Sequence, residues 1–172
     1  MTNPAPVGAV EELPRDKVER FERELGAIVK RYPPDRQAAA MLPALRLGQE
    51  LFGYLSPAVQ KLAARRLGVS PARAEEVATF YVMFHTHPQG KHLVEICTSV
   101  SCSLTGGERM FQHLKAKLGV GSGGTTPDGR ITLREVECLG SCGTAPAMLL
   151  DEDEMIERLD IKKVDEIVGG LK

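Results

Sequence analysis

With 172 residues and 42% hydrophobic content, the chain has room for one ordinary domain, or a small domain plus an appendage, and needs no metal merely to fold. Its 22 Lys and Arg nearly balance 23 Asp and Glu, leaving a net charge of -1, which argues against a nucleic-acid binder that works by phosphate neutralisation and points to a protein partner. The opening MTNPAPVGAVEE has neither the basic and apolar regions of a secretory signal nor the Arg-rich pattern of an organelle presequence. No run approaches the roughly 20 apolar residues that cross a bilayer, so the expectation is a cytoplasmic chain with no direct membrane contact. Structural disulfides are disfavoured in that reducing compartment.

Residues 1–13 are a Pro-, Ala- and Gly-bearing tail too poor in large apolar side chains to fold alone, read as a disordered end or a strap across a partner. From Pro14 to Arg31, Val18, Phe21, Leu25, Ile28 and Val29 recur at the spacing of one helix face, and Tyr32-Pro33-Pro34 stops the helix. A second amphipathic stretch runs from Arg36 to Phe52 and contains Pro43, which kinks it or marks its true beginning. Ser56-Pro57 and Ser70-Pro71 each place a capping hydroxyl before a proline at the first helical position. Residues 57–67, stopped by Gly68, and 71–84 therefore read as a helical pair. Phe80, Tyr81, Met83 and Phe84 are expected in a core or an interdomain seam. His85 and His87 fall on the same side if their segment is extended, but with no acid or third His close by they read as a connector rather than half a metal site.

After Pro88-Gln89-Gly90 the pattern turns to strand. HLVEIC alternates as a half-buried strand does and ends on Cys97, and CTSVSCSLTGG is a loop. Thr105 with Glu108 makes a capping box for a helix through Met110, Phe111, Leu114 and Leu118 to Gly119. GVGSGG lacks the GK[ST] ending of a phosphate loop and follows a helix, so it reads as a flexible connection into a Pro-Asp-Gly turn. ITLREVEC is the next strand, ending on Cys138, and CLGSCGTAP is the second loop. AMLLD and MIERL flank the acidic turn 151–154 as a hairpin, and Asp160 caps a last helix. The expected class is α+β: a helical domain over 14–87, then β-α-β-β-α over 88–172.

All 4 cysteines fall in the two post-strand loops, as C-x4-C at Cys97 and Cys102 and C-x3-C at Cys138 and Cys142. If the two preceding strands are parallel neighbours, both loops leave one sheet edge and the four sulfurs can meet. A four-cysteine zinc site usually uses C-x2-C twice, and a dithiol redox enzyme needs only one C-x-x-C at a helix start. A [2Fe-2S] cluster has two irons, each taking two thiolates, which two loops of two cysteines supply. The cluster fits the spacing best, while zinc and plain thiols stay open. Ser99, Ser101, Gly140, Ser141 and Gly143 are small enough to let backbone N–H groups approach the sulfurs.

The order of these pairs, with ATFY at 78–81, PQGK at 88–91, CTSVSC, TTPDGRITL at 125–133 and ECLGSCGTAP at 137–146, closely resembles the small [2Fe-2S] subunits of the NADH dehydrogenase module of respiratory complex I. The resemblance covers nearly the whole chain from about residue 14. It implies an N-terminal helical bundle followed by a thioredoxin-like [2Fe-2S] ferredoxin domain. It also implies one cluster held by Cys97, Cys102, Cys138 and Cys142, the first pair on one iron and the second on the other. The implied partner is the larger flavin subunit, carrying FMN, the NADH site and a [4Fe-4S] cluster, with other peripheral-arm subunits beyond it. Through that complex the chain would lie on the cytoplasmic side of the bacterial inner membrane. No NADH or quinone site is expected on this chain. Related subunits serve NAD-linked hydrogenases and formate dehydrogenases, and a zinc-stapled, non-redox adaptor is the reading from a different class.

Overall fold

The structure, a computed structural model, describes residues 12–172; the expected tail otherwise lies outside the described residues. By its own contacts the chain divides into two compact units, Met1–Pro88 and Gln89–Lys172.

The first unit is helical: α1 (Arg15–Val29), α2 (Met41–Phe52), α3 (Pro57–Arg66) and α4 (Pro71–Phe80), with a single 3-10 turn at Gln37–Ala40. Phe21, Leu25 and Val29 form the buried stripe of α1, and they join Leu45, Leu55, Val59 and Leu62 in one core. Pro43 neither kinks α2 nor starts it. It sits in the first helical turn, where a missing N–H costs no bond, and the segment from Arg36 is the 3-10 turn rather than α-helix. The two serine caps form as expected: Ser56 Oγ accepts from Val59 N–H at 3.4 Å and Ser70 Oγ from Arg73 N–H at 3.3 Å. Gly53 ends α2 at φ 87°, in the left-handed region that glycine enters without steric cost.

Three expectations around residue 80 are corrected. Helix α4 ends at Phe80, not Phe84. Of the aromatic and Met group only Phe84 is in the core; Phe80 is 76% exposed and Tyr81 and Met83 are exposed as well. His85 is buried and His87 is exposed, so the two do not share a side, and no cluster of three or more candidate metal ligands forms among the described residues. Instead the backbone of His85 ties the segment down, its N–H donating to Gln49 Oε1 and its carbonyl accepting from Leu55 N–H, both at 2.7 Å.

The second unit is a 5-stranded sheet in the order β2-β3-β1-β4-β5. Its strands are β1 (His92–Cys97), β2 (Gly124–Thr125), β3 (Ile131–Val136), β4 (Met148–Leu150) and β5 (Glu154–Ile156), and its helices are α5 (Val100–Leu104), α6 (Gly107–Leu118) and α7 (Ile161–Gly170). Strand β1 pairs in parallel with β3 and antiparallel with β4. As the central strand it is buried from Leu93 to Cys97 rather than on one face only, and the one charge in it, Glu95, faces Arg134 at 3.2 Å. Val94, Ile96, Phe111, Leu114, Ile131, Leu133, Met148 and Val164 make the second core.

Two further expectations fail for local reasons. The segment after Cys97 is not all loop, since α5 forms within it, and α6 starts at Gly107 behind a left-handed Gly106 at φ 105°. Thr105 therefore makes no capping box. Its hydroxyl closes α5 by donating to the carbonyl of Ser101 at 2.8 Å, while Glu108 accepts from Gln112 at 2.9 Å. Glycine is required at Gly107, where a Cβ would lie 2.5 Å from the Cys97 carbonyl and 2.9 Å from that of Cys102. The connection before Thr126 is also not wholly irregular, because Gly124 and Thr125 pair with Leu133 and Thr132 as an edge strand.

The core and the α6–α7 contact each generate a prediction. Leu114 is fully buried, so Leu114→Ala should cost about 2–5 kcal/mol in chemical denaturation, with a preserved m-value. Asp165 on α7 accepts from His113 at 2.8 Å and Lys117 at 2.7 Å on α6, and these bonds, Lys117 first, hold its carboxyl below the usual carboxylate range. A lowered folded value gives stability that is present above the unfolded value of about 4 and lost as pH falls through the folded one. Asp165→Asn should therefore lower the melting temperature near neutral pH, and the gap to the parent should close below about pH 4.

Candidate metal centre

Both thiol loops are launched by the β1–β3 pair. Cys97 is the last residue of β1 and stands opposite Val136, the last residue of β3. The expected strand end at Cys138 is corrected by two residues: β3 stops at Val136, and Glu137 and Cys138 already belong to the loop. The loops thus leave the same sheet edge side by side.

The first pair lies inside the protein. Cys97 and Cys102 are 2% and 3% exposed, packed with Ala147, Leu139 and Ala145. Helix α5 carries Cys102 back toward Cys97, and the two thiols hydrogen-bond each other. Burial pushes the Cys102 thiol up, the bond to Cys97 adds to that, and the N–H of Ala147 on its sulfur opposes it. Ala147 follows the Ala145–Pro146 peptide, which is cis.

The second pair is exposed. Cys138 Sγ and Cys142 Sγ lie 3.3 Å apart across a turn that Gly140 makes at φ 85°. Gly140 N–H donates to Cys138 Sγ at 3.4 Å and is the first cause of the lowered Cys138 thiol, followed by the Cys142 bond. The same thiol–thiol bond raises Cys142, while the Ser101 hydroxyl, reaching over from the first loop, opposes it. Ser101 is therefore a direct link between the two loops.

The sulfurs are thus grouped two and two, with a bond inside each pair and a serine between them. Among the described residues, no three His, Cys, Asp or Glu side chains close on a single point. Such a donor set suits a unit with two metal atoms, each taking a pair of soft thiolates, better than one tetrahedral zinc. Backbone N–H groups do reach sulfur, from Gly140 as the small-residue pattern suggested and from Ala147, which that pattern did not include.

Sequence reasoning missed the acid that braces the second loop. Glu157 accepts from both Ser141 Oγ and Thr144 Oγ1, the latter at 2.6 Å. Its signal was the hairpin itself: β4 and β5 pair Met148 with Ile156, so the next residues outward are Ala147 and Glu157, level with the loop.

A family model for thioredoxin-like [2Fe-2S] ferredoxins matches residues 25–172. A small NADH-quinone oxidoreductase subunit from Rhizobium meliloti is 43% identical over 152 residues, covering 88% of this chain and 89% of that protein. An NADH-quinone oxidoreductase subunit from Thermus thermophilus is 35% identical over 142 residues, covering 83% of this chain and 78% of the other. Among solved structures, an NAD+-reducing [NiFe]-hydrogenase in the H2-reduced state is similar in fold, with a TM-score of 0.66 at 23% identity over 77% of this chain and 22% of that one. A sheet edge that presents two cysteine pairs, a family match over most of the chain and relatives similar along most of their length agree: the chain belongs to the thioredoxin-like [2Fe-2S] ferredoxin family.

Proposed function

We propose that this chain is an electron-transfer subunit of an NADH:quinone oxidoreductase, holding one [2Fe-2S] cluster through Cys97 and Cys102 on one iron and Cys138 and Cys142 on the other. The observation that carries the reading is the grouping of the thiols, one bonded pair in each of two loops that leave adjacent parallel strands. The names of the relatives from Rhizobium meliloti and Thermus thermophilus support the choice of complex. When bound, such a cluster accepts and donates single electrons.

The chain's own residues do three things for it. Burial around Cys97 and Cys102 keeps water from one side of the site. The N–H groups of Gly140 and Ala147 donate to sulfur and offset thiolate charge. Ser101 holds the two loops at a fixed separation through Cys142.

In the proposed assembly the partner is the flavin subunit, with the NADH site, FMN and a [4Fe-4S] cluster, and this chain's cluster lies near the FMN. Other peripheral-arm subunits complete the assembly on the cytoplasmic side of the bacterial inner membrane. The chain would contribute no NADH or quinone site of its own. No helix among the described residues is long and apolar enough to cross a membrane, which fits attachment through partners.

The test is iron and zinc analysis with electron paramagnetic resonance before and after dithionite, on protein expressed anaerobically. Two irons per chain and a spin-half signal on reduction are expected; one zinc and no signal would replace this reading with the structural adaptor. Cys138→Ser should lose or badly destabilise the cluster, because a hydroxyl is a poor ligand for iron near neutral pH. His87→Ala should keep the iron content and the signal.

A further inference from the structure

The loop that carries Cys138 and Cys142 is exposed and irregular, with only a 3-10 turn at Cys142–Thr144. Loops of this kind open easily when their backbone bonds face water. Here one carboxylate braces it. Glu157 Oε1 accepts from Ser141 Oγ and from Thr144 Oγ1, and those two hydroxyls bond each other at 2.6 Å. Ser141 and Thr144 bracket Cys142 and Gly143. Thr144 N–H also donates to the Ser141 carbonyl at 3.1 Å, so the turn between them is closed by backbone and by side chains.

The brace is itself anchored. Arg158 N–H donates to the Thr144 carbonyl at 2.9 Å, Leu159 N–H to the Pro146 carbonyl at 3.0 Å, and Lys163 Nζ to the Glu157 carbonyl at 2.7 Å. Leu159 is buried in the second core. The acid therefore stands on a segment fixed by the hairpin, the core and the first turn of α7. The two hydroxyl bonds, Ser141 first, hold its carboxyl below the usual range, so it carries a full negative charge at neutral pH.

We propose that Glu157 is a positioning residue for the second iron-ligating pair: its carboxylate fixes the turn that aims Cys142 and places a negative charge beside Cys138 and Cys142. The proposal rests on the reading of these thiols as cluster ligands. Its two effects are separable. Geometry needs an acceptor oxygen in that place, which glutamine also supplies. Charge needs the carboxylate, because reduction adds an electron to the cluster and a nearby negative charge favours the oxidised form.

The experiment compares the full chain with Glu157→Gln and Glu157→Ala. Each is purified anaerobically and examined by redox titration followed by electron paramagnetic resonance, and by the rate of iron release to a ferrous chelator. Glu157→Gln should keep the iron content and near-parental release rate but move the midpoint potential upward. Glu157→Ala should release iron about ten-fold faster or more, the usual cost of losing a group that orients a ligand. An unchanged release rate in Glu157→Ala, or an unchanged potential in Glu157→Gln, would overturn the proposal. Absence of iron from the parent chain would instead overturn the cluster reading. Because glutamine keeps the acceptor, the comparison stays readable if the alanine variant folds poorly.

Discussion

Because β1 and β3 run parallel, with Cys97 opposite Val136, the chain segments that follow them must leave the sheet at the same edge. An antiparallel pairing would have sent the two cysteine loops to opposite ends of the sheet. The pairing holds because β1 is central and buried, flanked by β3 on one side and β4 on the other. Parallel neighbours need a long crossover, and α5 and α6 fill it. The crossover therefore brings Cys102 with it, on α5, back over the strand end it has just left. The close approach of Gly107 to the carbonyls of Cys97 and Cys102 is how α6 follows so soon after.

The two halves of the site are built on different physics. Cys97 and Cys102 are set by packing and their position follows from the core. Cys138 and Cys142 are exposed, so no core fixes them, and polar contacts do that work: Gly140 N–H, the Ser101 hydroxyl and the Glu157 brace. Polar contacts at a surface are individually weak, and their number at this loop compensates for the missing packing.

What could be read from the residues follows from whether the cause was local. Helix α1, the Ser56, Ser70 and Asp160 caps, the β1 and β3 strands and the hairpin each have their cause within a few residues, and each is present. Thr105 shows the limit. Its capping-box pattern is intact in the sequence, but α5 claims the hydroxyl, because a helix of five residues needs its last carbonyls satisfied. The burial of Glu95 was equally out of reach, since only the sheet order puts Arg134 across from it. Tertiary placement, not propensity, decides such cases.

The same distinction explains why the thiols announced themselves and their brace did not. Cysteines in pairs at short spacing are rare enough that the residue type alone points to chemistry. Glu157 is one of 23 acids in a chain of balanced charge, and nothing about its neighbours marks it. Its role appears only when the β4–β5 register is extended past the last paired residues, which brings it level with the loop, where it takes both hydroxyls. A carboxylate held there costs little to keep ionised because two donors face it. The acid therefore stabilises the turn and charges the site at once, and neither effect can be removed by evolution without the other unless glutamine takes its place.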